Sequence, residues 1–182
     1  MEAFDTLLTL AEVSLGLAGF AGIVVVFGRG PGPLPPADSL RLAALVGASL
    51  GTLFLSLIPI ALNAVGVPEP ELWRWGSAIM VALIVPGHVI GMLRIRSIAA
   101  EMFEVTPVYL IGIGGCLLLG NLIAQISNFL GAASLPSFGV YLFGLIVYLA
   151  FAATQFARML FVRPGGSVAA HDEREQKDDG TP

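Results

Sequence analysis

Polar residues in this chain are gathered into short intervals, and the stretches between them are almost wholly apolar. Five such stretches stand out, at about 5–27, 40–63, 73–93, 107–128 and 138–162. Each is close to the roughly 20 residues that a helix needs to cross the hydrocarbon layer of a bilayer. The runs are continuous rather than alternating, which argues against a membrane β-barrel. Breakers mark the boundaries. "GRGPGPLPPADS" is a Gly/Pro linker that no helix continues through, with Asp38 or Ser39 placed to cap the helix after it. "GVPEPEL" separates the second and third spans, and "GAASLPS" the fourth and fifth. "RIRSIAAEMFEVTP" is the one connection of mixed charge and reads as a helix extension or a short surface helix.

Composition narrows the class. Hydrophobic residues make up 56% of the 182, charged residues 12%, and the mean hydropathy is +0.87. Soluble domains carry about 25% charged residues, so this chain lacks the polar material for a water-facing surface. The expected fold is an all-α polytopic transmembrane bundle over 1–163, followed by a disordered acidic tail over 164–182. "MEAFDT" has no Lys or Arg, unlike the positive start of a secretory signal, so the first run is expected to remain as a structural helix. Cys116 is the only cysteine, which rules out an intrachain disulfide.

Lys and Arg set the expected orientation. Five spans put Arg29, Arg41, Arg94, Arg96, Arg158, Arg163, Arg174 and Lys177 on one side and leave only Arg74 on the other. The N-terminus is therefore expected outside and the C-terminus in the cytoplasm, across the inner (plasma) membrane. Trp73 and Trp75 flank Arg74 at the outer boundary, where indoles favour the interface.

The candidate functional residues are the polar ones inside the spans. Glu12 lies roughly 10 Å inside the first span, taking about 1.5 Å of rise per residue. It shares a helical stripe with Asp5, Leu8, Gly16, Gly19 and Ile23. Intramembrane carboxylates usually face protein or a water-filled cavity. The expected cluster therefore joins Glu12 to Asn121 and Gln125 of the fourth span, with Asn63 and Asn128 nearer the surface. A second polar group, in the other half of the membrane, comprises His88, Gln155 and Arg158. Small residues that allow helices to approach closely include Gly16 and Gly19, Gly47 and Gly51, and Gly112 and Gly120. Pro59 and Pro86 are expected to kink their helices.

Catalytic patterns are weak. "GASLG" at 47–51 fits G-x-S-x-G, but that motif works on a strained strand-to-helix turn, and here it falls within an apolar helix. A Ser49–His88 dyad is the remote hydrolase reading. "GRGPG" lacks the Lys and Ser/Thr of a phosphate loop. One His and one Glu on opposite sides of the midplane make no metal site. No enzyme activity, cofactor, metal or nucleic-acid partner is expected.

"AEVSLGLAGFAGIVVVF", together with the Trp-Arg entrance to the third span, resembles small uncharacterised bacterial multi-span inner-membrane proteins. That resemblance implies a membrane fold and carries no activity. Arg-rich, nearly Lys-free usage is compatible with a GC-rich bacterium. The leading expectation is a non-enzymatic bundle or complex subunit, partnered by the bilayer and by copies of itself or another membrane protein. The alternative is a small transporter or channel-like protomer with a protonatable Glu12. A reporter active only in the cytoplasm, fused to the chain, is expected to give signal after Arg41 and none after Glu69. Signal after Glu69 reverses the orientation.

Overall fold

A computed structural model describes residues 2–27, 36–69, 71–97, 108–132 and 137–161. They form five α-helices: α1 Glu2–Phe27, α2 Pro36–Ala64, α3 Glu71–Ser97, α4 Val108–Leu130 and α5 Phe138–Phe161. Each contains a segment long and apolar enough to cross a membrane, from Glu2–Ile23 to Phe138–Leu160. The architecture is an all-α bundle with no strand among the described residues. The acidic tail, the linker over 28–35 and the mixed-charge segment over 98–107 lie outside the described residues.

The helices alternate in direction, so one end of the bundle gathers the start of α1, the α2–α3 turn and the α4–α5 turn. We call this the near end. A core there draws on four helices: Leu7 of α1, Leu55 of α2, Leu72, Trp73, Met80 and Ile84 of α3, and Tyr141 and Leu145 of α5. The core toward the far end is built differently, from Ala21, Leu45, Ala48 and Ala152 of α1, α2 and α5. Alanines let these three helices approach closely. Helices α1 and α4 lie on opposite flanks: α1 packs mainly on α2 and also on α5, and α4 on α3 and α5. Beyond Ile84, the described side chains of α3 are exposed or half-buried, as are those of α4 from Gly112 to Gly120.

Local chemistry fixes the helix ends. α2 starts at Pro36, earlier than the expected cap at Asp38 or Ser39, because proline suits a first helical turn where no N–H partner is needed. Asp38 then sits in the first turn and pairs with Arg41 at 3.0 Å. α2 and α4 end in the same way. Gly66 and Gly131 adopt φ of +85° and +67°, a left-handed conformation that glycine alone enters without steric cost. The next residues fold back, Val67 N to Leu62 O at 3.1 Å and Ala132 N to Ser127 O at 3.0 Å, which satisfies carbonyls the helix leaves open.

Trp73 and Trp75 do not share an interface. Two residues apart on a helix they point to different sides: Trp73 is 3% exposed and Trp75 51%. Trp73 packs against Phe4, Phe138 and Tyr141, which makes it a central core residue, while Trp75 tilts against Phe129.

Both prolines lie inside continuous helices. Pro59 has no N–H, so the carbonyl of Leu55, four residues earlier, loses its normal partner. The Tyr141 hydroxyl donates to that carbonyl from α5. A helix break in α2 thus becomes a bond between helices. Tyr141→Phe is expected to destabilise the bundle by about 1–3 kcal/mol, the range for leaving a buried acceptor unpaired. In a Pro59→Ala background, where the regained backbone N–H restores the helical bond, the same change is expected to cost less. Reversible unfolding in mixed micelles measures both, and equal penalties in the two backgrounds refute the link.

Candidate functional site

Sequence periodicity puts Asn121, Gln125 and Asn128 on one face of α4, and the fold turns that face inward. Asn121 and Gln125 are fully buried and Asn128 is 2% exposed. Opposite them on α3 is Ser77, also fully buried. Its hydroxyl donates to Gln125 Oε1 at 2.8 Å and accepts from Asn128 Nδ2 at 2.8 Å. Gln125 Nε2 donates in turn to the backbone carbonyl of Val140 on α5 at 2.8 Å and to Asn121 Oδ1 at 3.2 Å. Asn128 also braces the start of α5: its Oδ1 accepts from Ser137 N at 2.8 Å, and its Nδ2 reaches Ser137 O at 3.3 Å. The Ser137 hydroxyl caps the helix through Val140 N at 3.4 Å. Arg74 extends the same assembly toward the near end. Its Nε donates to Phe129 O at 3.0 Å, and its guanidinium lies 5.8 Å from the Phe129 ring centre.

The seam is neutral at its centre and joins three helices. Amides suit this role because each offers donors and acceptors together without carrying charge into hydrocarbon. Asn121 Nδ2, and the hydroxyls of Ser49 and Ser56 on α2, are buried without a partner.

One glycine makes the seam sterically feasible. A Cβ on Gly144 would lie 2.5 Å from Gln125 Nε2, 2.7 Å from Met80 Sδ and 2.9 Å from Asn121 Oδ1. Gly76 has a similar though looser role, 3.0 Å from the Tyr141 ring. The glycines picked out by spacing behave differently. A Cβ on Gly16, Gly19, Gly47, Gly51, Gly112 or Gly120 meets nothing within 4 Å. The expectation that these six bring helices of this chain together is therefore corrected. Spacing identifies a smooth stripe but does not say which way it faces. On α2 the buried stripe is instead Ala48, Thr52 and Ser56.

Glu12 requires the main correction. It is exposed, as are Asp5, Leu8, Gly16, Gly19 and Ile23 along its stripe, and the opposite face of α1 (Leu7, Ala11, Ser14, Ala21) is buried. Glu12 is not joined to Asn121 or Gln125. Those amides spend their bonds on α3 and α5, and α1 packs on the other flank of the bundle. Asn63 is also exposed, in the last turn of α2, and stands apart from the seam. His88, Gln155 and Arg158 do not form one group. His88 is exposed, with Nδ1 2.8 Å from Ile84 O of its own helix, while Gln155 and Arg158 are half-buried on α5. Ser49 makes no hydrogen bond, so the Ser49–His88 dyad is not assembled.

Sequence reasoning missed Ser77, Gly144 and Arg74 as parts of the seam. Gly144 shares a stripe with Tyr141 in the sequence, and that spacing was the available signal. Ser77 is a single small polar residue in an apolar run and gave none.

The fold and its polar seam define a multi-pass, all-helical membrane protein. No protein-family model, curated protein or solved structure matches the chain. Gly144→Ala is expected to destabilise the bundle by about 1–3 kcal/mol, the range for overpacking a filled interior, whereas Gly120→Ala does not destabilise it. Unfolding midpoints of the two variants in one detergent test this, and equal midpoints refute the steric role of Gly144.

Proposed function

We propose that this protein is a non-enzymatic multi-pass protein of a bacterial inner membrane. Its N-terminus lies outside and its C-terminus in the cytoplasm, and it acts as a protomer in an assembly of its own copies. The observation that carries the reading is the outward stripe of α1. Glu12 lies near the middle of the apolar segment Glu2–Ile23 and is exposed on the bundle surface. Intramembrane ionisable residues are costly against lipid and rarely left there. Gly16 and Gly19 continue the same stripe with open space above them. Together they make a flat strip on which a second α1 can lie closely. A two-fold axis along the membrane normal brings the two Glu12 side chains toward each other, and the contact forms when one carboxyl carries a proton that the other accepts, since two carboxylates offer only acceptors and repel.

The buried amides support a structural rather than a catalytic interior, because their bonds go to neighbouring helices. A transport path through Glu12 and the amides has less support, since the two sit on separate faces. The orientation rests on the one-sided distribution of Arg and Lys.

Cysteine cross-linking in native membranes tests the assembly. In a Cys116→Ser background, Gly16→Cys or Gly19→Cys is expected to give an oxidant-dependent dimer, and cysteine at buried Ala11 is not. Glu12→Leu is expected to weaken the cross-link and Glu12→Gln to preserve it. Absence of dimer at both glycine positions sinks the proposal.

A further inference from the structure

The outward face of α1 carries acid and no base. Along Glu2–Phe27 the titratable side chains are Glu2, Asp5 and Glu12, with no Lys, Arg or His. Asp5 and Glu12 share the outward stripe and both are exposed. Glu2 and Asp5 belong to the first turn, at the opening of the apolar segment, where water solvates their charge. Glu12 lies near the middle of that segment, where water does not.

Among the described residues no cation faces Glu12. Helices α2 and α5 pack on the opposite, buried face of α1. Asp38 and Arg41 lie at the start of α2 and Arg158 in the last turn of α5, all toward the far end. The phenols of α5 are also turned inward: Tyr141 bonds to Leu55 O, and Tyr148 packs against both cores. α3 touches α1 where Trp73 meets Phe4. Beside it, Glu71 and Arg74 pair with each other, and Arg74 reaches Phe129 of α4 on the other flank.

An ionised carboxylate only accepts hydrogen bonds, so two of them at a two-fold axis repel, and no base on either α1 relieves the repulsion. One proton does relieve it, because the protonated member donates to the other. A lone protomer has no second Glu12 to hold that proton in place. The dimer therefore binds more protons than two separate protomers, and by linkage a rise in proton concentration favours it. Resting on the α1 contact proposed above, we infer that dimerisation takes up one proton per dimer at the Glu12 pair, so that the assembly tightens as pH falls and loosens as pH rises. Over the range in which Glu12 of the lone protomer is ionised, one proton per dimer changes the dimerisation constant about tenfold per pH unit.

Sedimentation equilibrium of the full-length protein in a density-matched, nonionic detergent tests this. The dimerisation constant is measured at a series of pH values from mildly acidic to alkaline, with a chelator present so that no divalent cation takes the place of the proton. The wild type is expected to lose about tenfold per pH unit on the alkaline side. Glu12→Gln carries a donor and an acceptor at every pH, and is expected to dimerise without pH dependence. Asp5→Asn removes the boundary acid from the stripe and is expected to keep the wild-type slope. A wild-type dimer of pH-independent strength overturns the proton coupling and leaves the α1 contact standing. A slope that survives in Glu12→Gln, or vanishes in Asp5→Asn, overturns it too, because another group then titrates. A protein that is monomeric at every pH overturns both the coupling and the contact.

Discussion

Hydrocarbon offers a polar group no partner, so every donor and acceptor carried into the membrane must be satisfied by the protein or by something bound to it. The near half of this bundle is organised around that constraint. Gln125 and Asn128 bond to Ser77 on one neighbour and to backbone at the start of α5 on the other. Apolar side chains give little drive for helix association in lipid. Directional bonds of this kind supply register instead, because a shift of one residue along α4 would carry all three amides away from their partners.

The prolines and glycines serve the same requirement. Pro59 removes a backbone donor, and the carbonyl it leaves open becomes the point at which Tyr141 fastens α5 to α2. Gly144 is empty space of the right size, since any side chain there would overlap Gln125, Met80 and Asn121. Trp73 fills the volume between α1, α3 and α5 beside these bonds. Among the described residues the far half shows no such seam. Its core is made of Leu45 and of alanines in α1, α2 and α5, with no described residue of α3 or α4 buried in it.

Besides Asn121 Nδ2 and the Ser49 and Ser56 hydroxyls, Glu12 and Arg41 stand outside this scheme, and the exposure of these two differs. Glu12 faces outward from a stripe that includes two glycines, whereas Arg41 is enclosed with one edge unmatched. Neither finds its full complement among the described residues. The same constraint that closes the seam therefore directs attention beyond it, to a second α1 as the proposed neighbour of Glu12.

The sequence alone determined the class and, among the described residues, the number of helices long enough to cross a membrane. Long apolar runs separated by Gly/Pro breakers have one stable form in lipid, and no tertiary information is needed to read it. It also determined which residues share a stripe: Asn121, Gln125 and Asn128 fall on one face, and so do Glu12, Gly16 and Gly19. Only the tertiary structure decided where each stripe points. The α4 face turns inward to meet Ser77 and Val140, and the Glu12 face turns outward. Helical periodicity is a property of one element, whereas facing depends on which neighbours lie on which flank. In a membrane a smooth small-residue stripe suits either an intramolecular or an intermolecular neighbour, so its chemistry does not break the tie. The placement of α1 and α4 on opposite sides of the bundle separated Glu12 from the amides, and no residue pattern within either helix encodes that separation.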